Sequence, residues 1–212
     1  MRETRYDSSE GVVAVTNLQA FFHEAVDGAM RNQRVQVAEH TAHYVVSLLT
    51  LFARSEALYD QADEGRRHRP LAMMLDDALN APSEERRNHA LQRLGDVSLF
   101  IAGFFADSLA NRLVDLDYYI RMGGSAYDSL SDGVRGTFRG RVYGPVFREL
   151  GAKFQPLVDV LNEISDSARG SSDHDVLRLY EVWLKTGSRR AARLLGELGV
   201  QPSRSARTRF VH

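Results

Sequence analysis

The sequence predicts an all-α, single-domain bundle of about eight helices, and three observations carry that prediction. Apolar residues recur three and four apart along almost the whole chain. The apolar–polar alternation of a half-buried strand is nearly absent. One stretch, residues 97–105 within GDVSLFIAGFFADSL, is apolar on every side, which makes it a central helix surrounded by other helices.

The elements follow in order. Thr16 or Asn17 suits the N-cap of a first helix over about 17–31, with Leu18, Phe21, Phe22, Ala25 and Ala29 facing inward. A second helix spans about 35–59, with Val37, Val45, Leu48, Leu49 and Phe52 as its stripe. QADEGRRHRP, at 61–70, reads as an exposed connection, and Pro70 opens a short helix to about residue 80. In Pro82-Ser83-Glu84-Glu85 the serine can cap and the glutamates meet the positive end of the next helix, which contains the apolar run. Asp107 is expected to cap a helix over 109–122 that buries Leu109, Leu113, Leu116, Tyr119 and Ile120, until Met122-Gly123-Gly124-Ser125 breaks the chain.

Tyr127, Leu130, Val134, Phe138 and Val142 form the following stripe. Gly136, Gly140 and Gly144 run beside it, and each glycine costs a helix about 1 kcal/mol relative to alanine. That cost predicts either a close approach of two helix backbones or a loose segment. Gly144-Pro145 is expected to restart a helix running to about 168, disturbed at Pro156. RGSSD is a linker, Ser172 caps a helix over 176–185, and Ser188 caps a last helix ending near Gly199. The helical domain is thus expected over 1–200, followed by a basic, flexible tail over 201–212.

Composition excludes several function classes. A chain of 212 residues can bury a real core, and 43% hydrophobic with 26% charged residues is ordinary for a soluble globular domain. The longest apolar run falls short of the roughly 20 residues a bilayer demands, and the amino terminus lacks a signal-peptide core, so a cytoplasmic protein without a membrane role is expected. No cysteine is present, which removes thiolate nucleophiles and cysteine zinc sites. Twenty-five of the 27 basic residues are arginine. Over 188–212, Arg189, Arg190, Arg193, Arg204, Arg207 and Arg209 stand against Glu197 alone, giving +5. The remainder of a chain totalling −1 therefore carries −6.

Five stretches could carry chemistry. AEHTAHY puts His40 and His43 on adjoining helix faces with Glu39, one residue out of register with the Glu-x-x-His ligand pair of di-iron bundles. The two histidines read either as metal ligands or as ordinary helix-surface residues. Asp96, at the mouth of the apolar run, needs a partner, because burying a lone charge is very costly. It reads as a buried anchor paired with Arg93 or another helix's arginine, or as a member of a small buried site with histidines or tyrosines. Tyr118, Tyr119 and Tyr127 flank the double glycine beside Arg121, as a pocket edge or as packing over a break. RGTFRGRVYG resembles RNA-binding arginine/glycine segments on the surface but keeps a helical stripe, so it reads as a solvated arginine face. Residues 189–210 begin like a helix-turn-helix, yet Pro202 falls where a recognition helix would start.

Taken together, GDVSLFIAGFF, DYYIRMGGSAY and YEVWLKTGSRRAARLLGELGV, within about residues 15–200, resemble a family of bacterial all-helical proteins to which no activity attaches. The resemblance implies a bacterial, cytoplasmic setting and no site residue. With no complete catalytic motif and no cofactor motif, the expected function is a non-enzymatic interaction or regulatory protein, a homodimer or other homo-oligomer. Two further readings stand beside it. One is nucleic-acid binding through the six C-terminal arginines. The other is metal or small-ligand binding around His40, His43 and Asp96.

Overall fold

A computed structural model of the chain describes residues 18–53, 70–109, 115–169 and 175–203. Those residues are all-α: α1 (Leu18–Gln33), α2 (Glu39–Ala53), α3 (Leu71–Leu79), α4 (Glu84–Phe104), the single turn α5 (Ala106–Leu109), α6 (Leu116–Gly133), α7 (Phe138–Ala152), α8 (Phe154–Arg169), α9 (Val176–Thr186) and α10 (Arg189–Glu197).

Helix α4 is the axis of the bundle, packed against α3, α6 and α8. Ser83 caps it by accepting a hydrogen bond from the Arg86 N–H, with Glu84 and Glu85 in its first turn. Leu94, Val97, Leu99, Ile101 and Ala102 are buried on all its sides. Its last turn ends where Ser165 and Arg169 of α8 donate to the Phe104 carbonyl. Phe104 and Phe105, the end of the apolar run, are partly buried and exposed respectively.

Several local expectations need correction. On α1 the buried stripe is Phe22, Val26, Ala29 and Met30, and Phe21 points outward at 44% exposure. Asp107 lies within α5, and the next helix starts at Leu116, seven residues later than expected. No break occurs at Gly123-Gly124, because α6 runs straight through them. A Cβ on Gly123 would overlap the Phe154 ring and Ser98, so this glycine lets α6 press against α4 and α8. Gly123→Ala is therefore expected to cost about 1–3 kcal/mol through overpacking, read from urea denaturation. An unshifted midpoint would mean that Phe154 yields freely.

The real break lies at 134–137, where Gly136 takes φ 83° and Thr137 caps α7 by accepting from the Gly140 N–H. A Cβ on Gly140 would strike the Val134 carbonyl, so Gly140 by close approach and Gly136 by its positive φ shape this turn within one chain. The break also turns Phe138 and Val142 outward. Pro145 sits inside α7 on its exposed side, and the helix ends instead at Lys153. Asp175, not Ser172, caps α9; Ser172 lies outside the described residues, as do Thr16, Asn17, the 54–69 connection and Leu113.

Helices α9 and α10 form a hairpin with its own small core of Leu179, Ala191 and Leu195. It is tied down by Lys185 to Asp115, by Arg178 to the Ala106 carbonyl, and by Arg190 to Asp166. The chain beyond α10 turns back at once, where Tyr180 donates to the Ser203 carbonyl at 2.9 Å. Among the described residues no helix is long and apolar enough to cross a membrane.

Candidate functional site

Helices α2 and α7 lie side by side with a cleft of about 1170 Å³ between them. His40, His43 and Ser47 form the α2 wall at helical spacing. Arg139, Arg141, Val142, Tyr143 and Arg148 form the α7 wall. Both histidines are exposed. So are Val142 at 52% and Tyr143 at 45%, with Phe138 at 77% on the adjoining turn, under the Arg141 guanidinium.

Beneath the cleft a hydrogen-bond chain crosses four helices. Arg139 of α7 donates to the Gln92 side-chain carbonyl on α4, and the Gln92 amide donates to the Tyr44 hydroxyl of α2 at 2.8 Å. Tyr44 donates to Asp96 Oδ1 at 2.8 Å, and Tyr127 of α6 donates to the same oxygen at 2.6 Å. Every link points toward the carboxylate, so each polarises the next. Gly95 makes the approach of Tyr127 possible, since a Cβ there would come within 2.9 Å of the ring. The Tyr127 ring stacks on Phe147, and Tyr44 meets both edge-on.

Asp96 is partly buried, and this desolvation pushes its pKa from 3.8 up to about 6. The two phenols and the charges of Arg93 and Arg139 pull in the opposite direction without cancelling it. Burial and the nearby carboxylate raise both tyrosines further above their ordinary value, so they stay neutral donors. The Asp96 carboxylate is thus held directly by two phenol hydroxyls, and the expected arginines, Arg93 and Arg139 of another helix, act on it through their charge. Asp96 accepts from Tyr44 but does not itself line the cleft that His40 and His43 line. Among the described residues, no three His, Asp or Glu side chains gather as a metal site, and His40, His43 and Asp96 do not converge as ligands.

Glu149 closes one end of the cleft. It accepts from the Ala38 N–H at 2.9 Å, from Thr41 at 2.6 Å and from Lys153 at 2.8 Å, and so caps α2 from α7. Burial alone would raise its pKa, but these donors outweigh it and the net shift is downward. Its negative charge is spent on partners inside the protein, which leaves the open cleft to its arginines and histidines.

The C-terminal arginines divide. Arg190 is ion-paired with Asp166, and Arg193 binds the Asn32 carbonyl and lies 3.8 Å from Glu163 and from Glu197. Arg189 is exposed, and Arg204, Arg207 and Arg209 lie outside the described residues. At the other tyrosine cluster, Arg121 pairs with Asp117, and Tyr118 meets Tyr119 edge-on. Sequence reasoning passed over Tyr44, Gln92, Glu149 and the buried Asp159, which accepts from Ser188 at 2.7 Å. The one sequence signal for Asp159 is its position among Leu157, Val158, Val160 and Leu161, all fully buried.

No family model, curated protein or solved structure matches this chain.

Proposed function

We propose that this is a non-enzymatic interaction protein whose α2–α7 cleft docks an acidic, amphipathic helix of a partner protein, in a bacterial cytoplasmic setting. The observation that carries the reading is the α7 wall, where exposed Val142 and Tyr143 are interleaved with Arg139, Arg141 and Arg148, with exposed Phe138 beside it. Two helices flanking an apolar groove suit helix-in-groove recognition. The cationic rim selects acidic flanks and steers encounter. Apolar Val142, Pro145 and Val146 along the groove favour a peptide over a nucleic-acid backbone. With Arg190 and Arg193 committed to internal pairs, the C-terminal arginines support nucleic-acid binding less.

The test is fluorescence titration with a labelled helical peptide of roughly 15 residues, leucine on one face and glutamate on the other. Saturable binding that weakens with salt is expected, falling about tenfold or more in Arg141→Glu and in Tyr143→Ala. A lysine-for-glutamate peptide should not bind. Absence of saturable binding overturns the reading. Tighter binding of duplex DNA, lost in Arg141→Glu, would replace it with the nucleic-acid reading. Self-association that Arg141→Glu abolishes would make the occupant a second copy of this chain.

A further inference from the structure

A second, smaller pocket of about 260 Å³ lies away from the α2–α7 cleft, where three chain reversals meet. Its lining includes Arg34 after α1, Lys153 and Gln155 at the α7–α8 junction, and Gly187 and Arg189 between α9 and α10. Arg190 and Arg193 find carboxylates within the fold, but the guanidinium groups of Arg34 and Arg189 have no partner among the described residues. Lys153 donates to the Gln36 carbonyl and to Glu149, which leaves one of its three protons for the pocket. Asp159 is the single acid in the lining. Its oxygens accept from Ser188, Gln155 and the Arg190 N–H, and neither Arg34 nor Arg189 is among its hydrogen-bond donors.

The backbone at Arg34 supplies an independent observation. Helix α1 ends in a Schellman motif, with the Val35 N–H bonded to the Met30 carbonyl and the Arg34 N–H to the Arg31 carbonyl. Arg34 takes the left-handed position at φ 56°, the lone positive φ outside glycine among the described residues. At the corresponding reversals after α9 and α10 the chain uses Gly187 at φ 71° and Gly199 at φ 78°. Glycine accepts that conformation without steric cost. An arginine at that position carries a backbone cost that glycine would not, and it places a guanidinium group at the pocket lining.

We infer that this pocket binds a phosphate dianion, free or as a small phosphomonoester, clamped between the Arg34 and Arg189 guanidinium groups with Lys153 alongside. Guanidinium forks match phosphate oxygens in geometry and charge. The volume leaves room for a small organic group beyond the phosphate itself. This site does not depend on the cleft reading.

The experiment is a thermal-shift titration of the full chain with inorganic phosphate and, separately, glycerol phosphate, against chloride at matched ionic strength. Wild type should show a saturable rise in melting temperature with a phosphate ligand and none with chloride. Arg34→Gly relieves the backbone, so it should melt no lower than wild type while losing at least about tenfold in phosphate affinity. Arg189→Ala should lose a similar factor, and Arg148→Ala, in the other cleft, none. Stronger response to glycerol phosphate assigns a monoester, and stronger response to phosphate assigns the free ion. A response equal to that of chloride, or one undiminished in both Arg34→Gly and Arg189→Ala, overturns the site.

Discussion

Tyr127→Ala is expected to lower the free energy of unfolding by about 3–5 kcal/mol, the range for truncating a large buried aromatic. Two losses combine in it. The ring is fully buried, stacked on Phe147 and tilted against Phe154, and α4 approaches it closely only because residue 95 is glycine. The hydroxyl also supplies one of two donors to Asp96 Oδ1. Tyr127→Phe separates the terms, because the ring stays and one hydrogen bond to a charged group disappears, worth about 1.5–3 kcal/mol. Denaturant unfolding of both variants reads the two numbers. A phenylalanine variant as stable as wild type would show that the Asp96 carboxylate is held without this phenol.

Asp96→Asn is expected to change stability in a strongly pH-dependent way. The carboxyl titrates near 3.8 when exposed and at about 6 in the fold, because burial disfavours its charge. A folded pKa above the unfolded one means that folding takes up a proton between these values. The stabilising contribution of the protonated acid is therefore full below about pH 4 and is lost as pH rises through about 6. At 1.36 kcal/mol per pKa unit, the loss through this group is about 3 kcal/mol. Asparagine has no such titration. The stability of wild type minus that of Asp96→Asn should thus fall by about 3 kcal/mol between about pH 4 and about pH 7. The two phenols stay protonated throughout, so they do not blur the curve. Parallel pH profiles for the two proteins would contradict the raised pKa and the burial that causes it.

Much of the fold was legible in the residues because its signals are local. The Ser83 and Ser188 caps, the apolar core of α4 and the Gly199 reversal each depend on a few neighbours in sequence, and each is where the pattern puts it. Glycine is where local reading failed. Gly123-Gly124 and Gly136 look alike in sequence, yet the first pair lies inside a helix and the last ends one. What separates them is Phe154 and Ser98 pressing on α6, partners 25 or more residues away in sequence. Pro145 misled for a local reason, since Gly136 and the Thr137 cap had already placed the break upstream and the proline falls inside α7.

The amino-acid sequence by itself determined the helical class, the burial of 97–103 and the need of Asp96 for a partner. Periodicity and the cost of an unpaired charge are properties of a single segment. The tertiary structure alone decided what that partner is, because Tyr44, Tyr127 and the Gln92–Arg139 link approach from three other helices and across a turn of α4 itself. It also decided which arginines are free to act. Arg189, Arg190 and Arg193 are equivalent by charge and spacing, but the face of α8 meeting α10 supplies Asp166 and Glu163 to the last two and leaves Arg189 beside Arg34. Whether a charge is spent inside the protein or offered to a ligand depends on which carboxylates the packing brings within reach, and packing brings together residues that are distant along the chain.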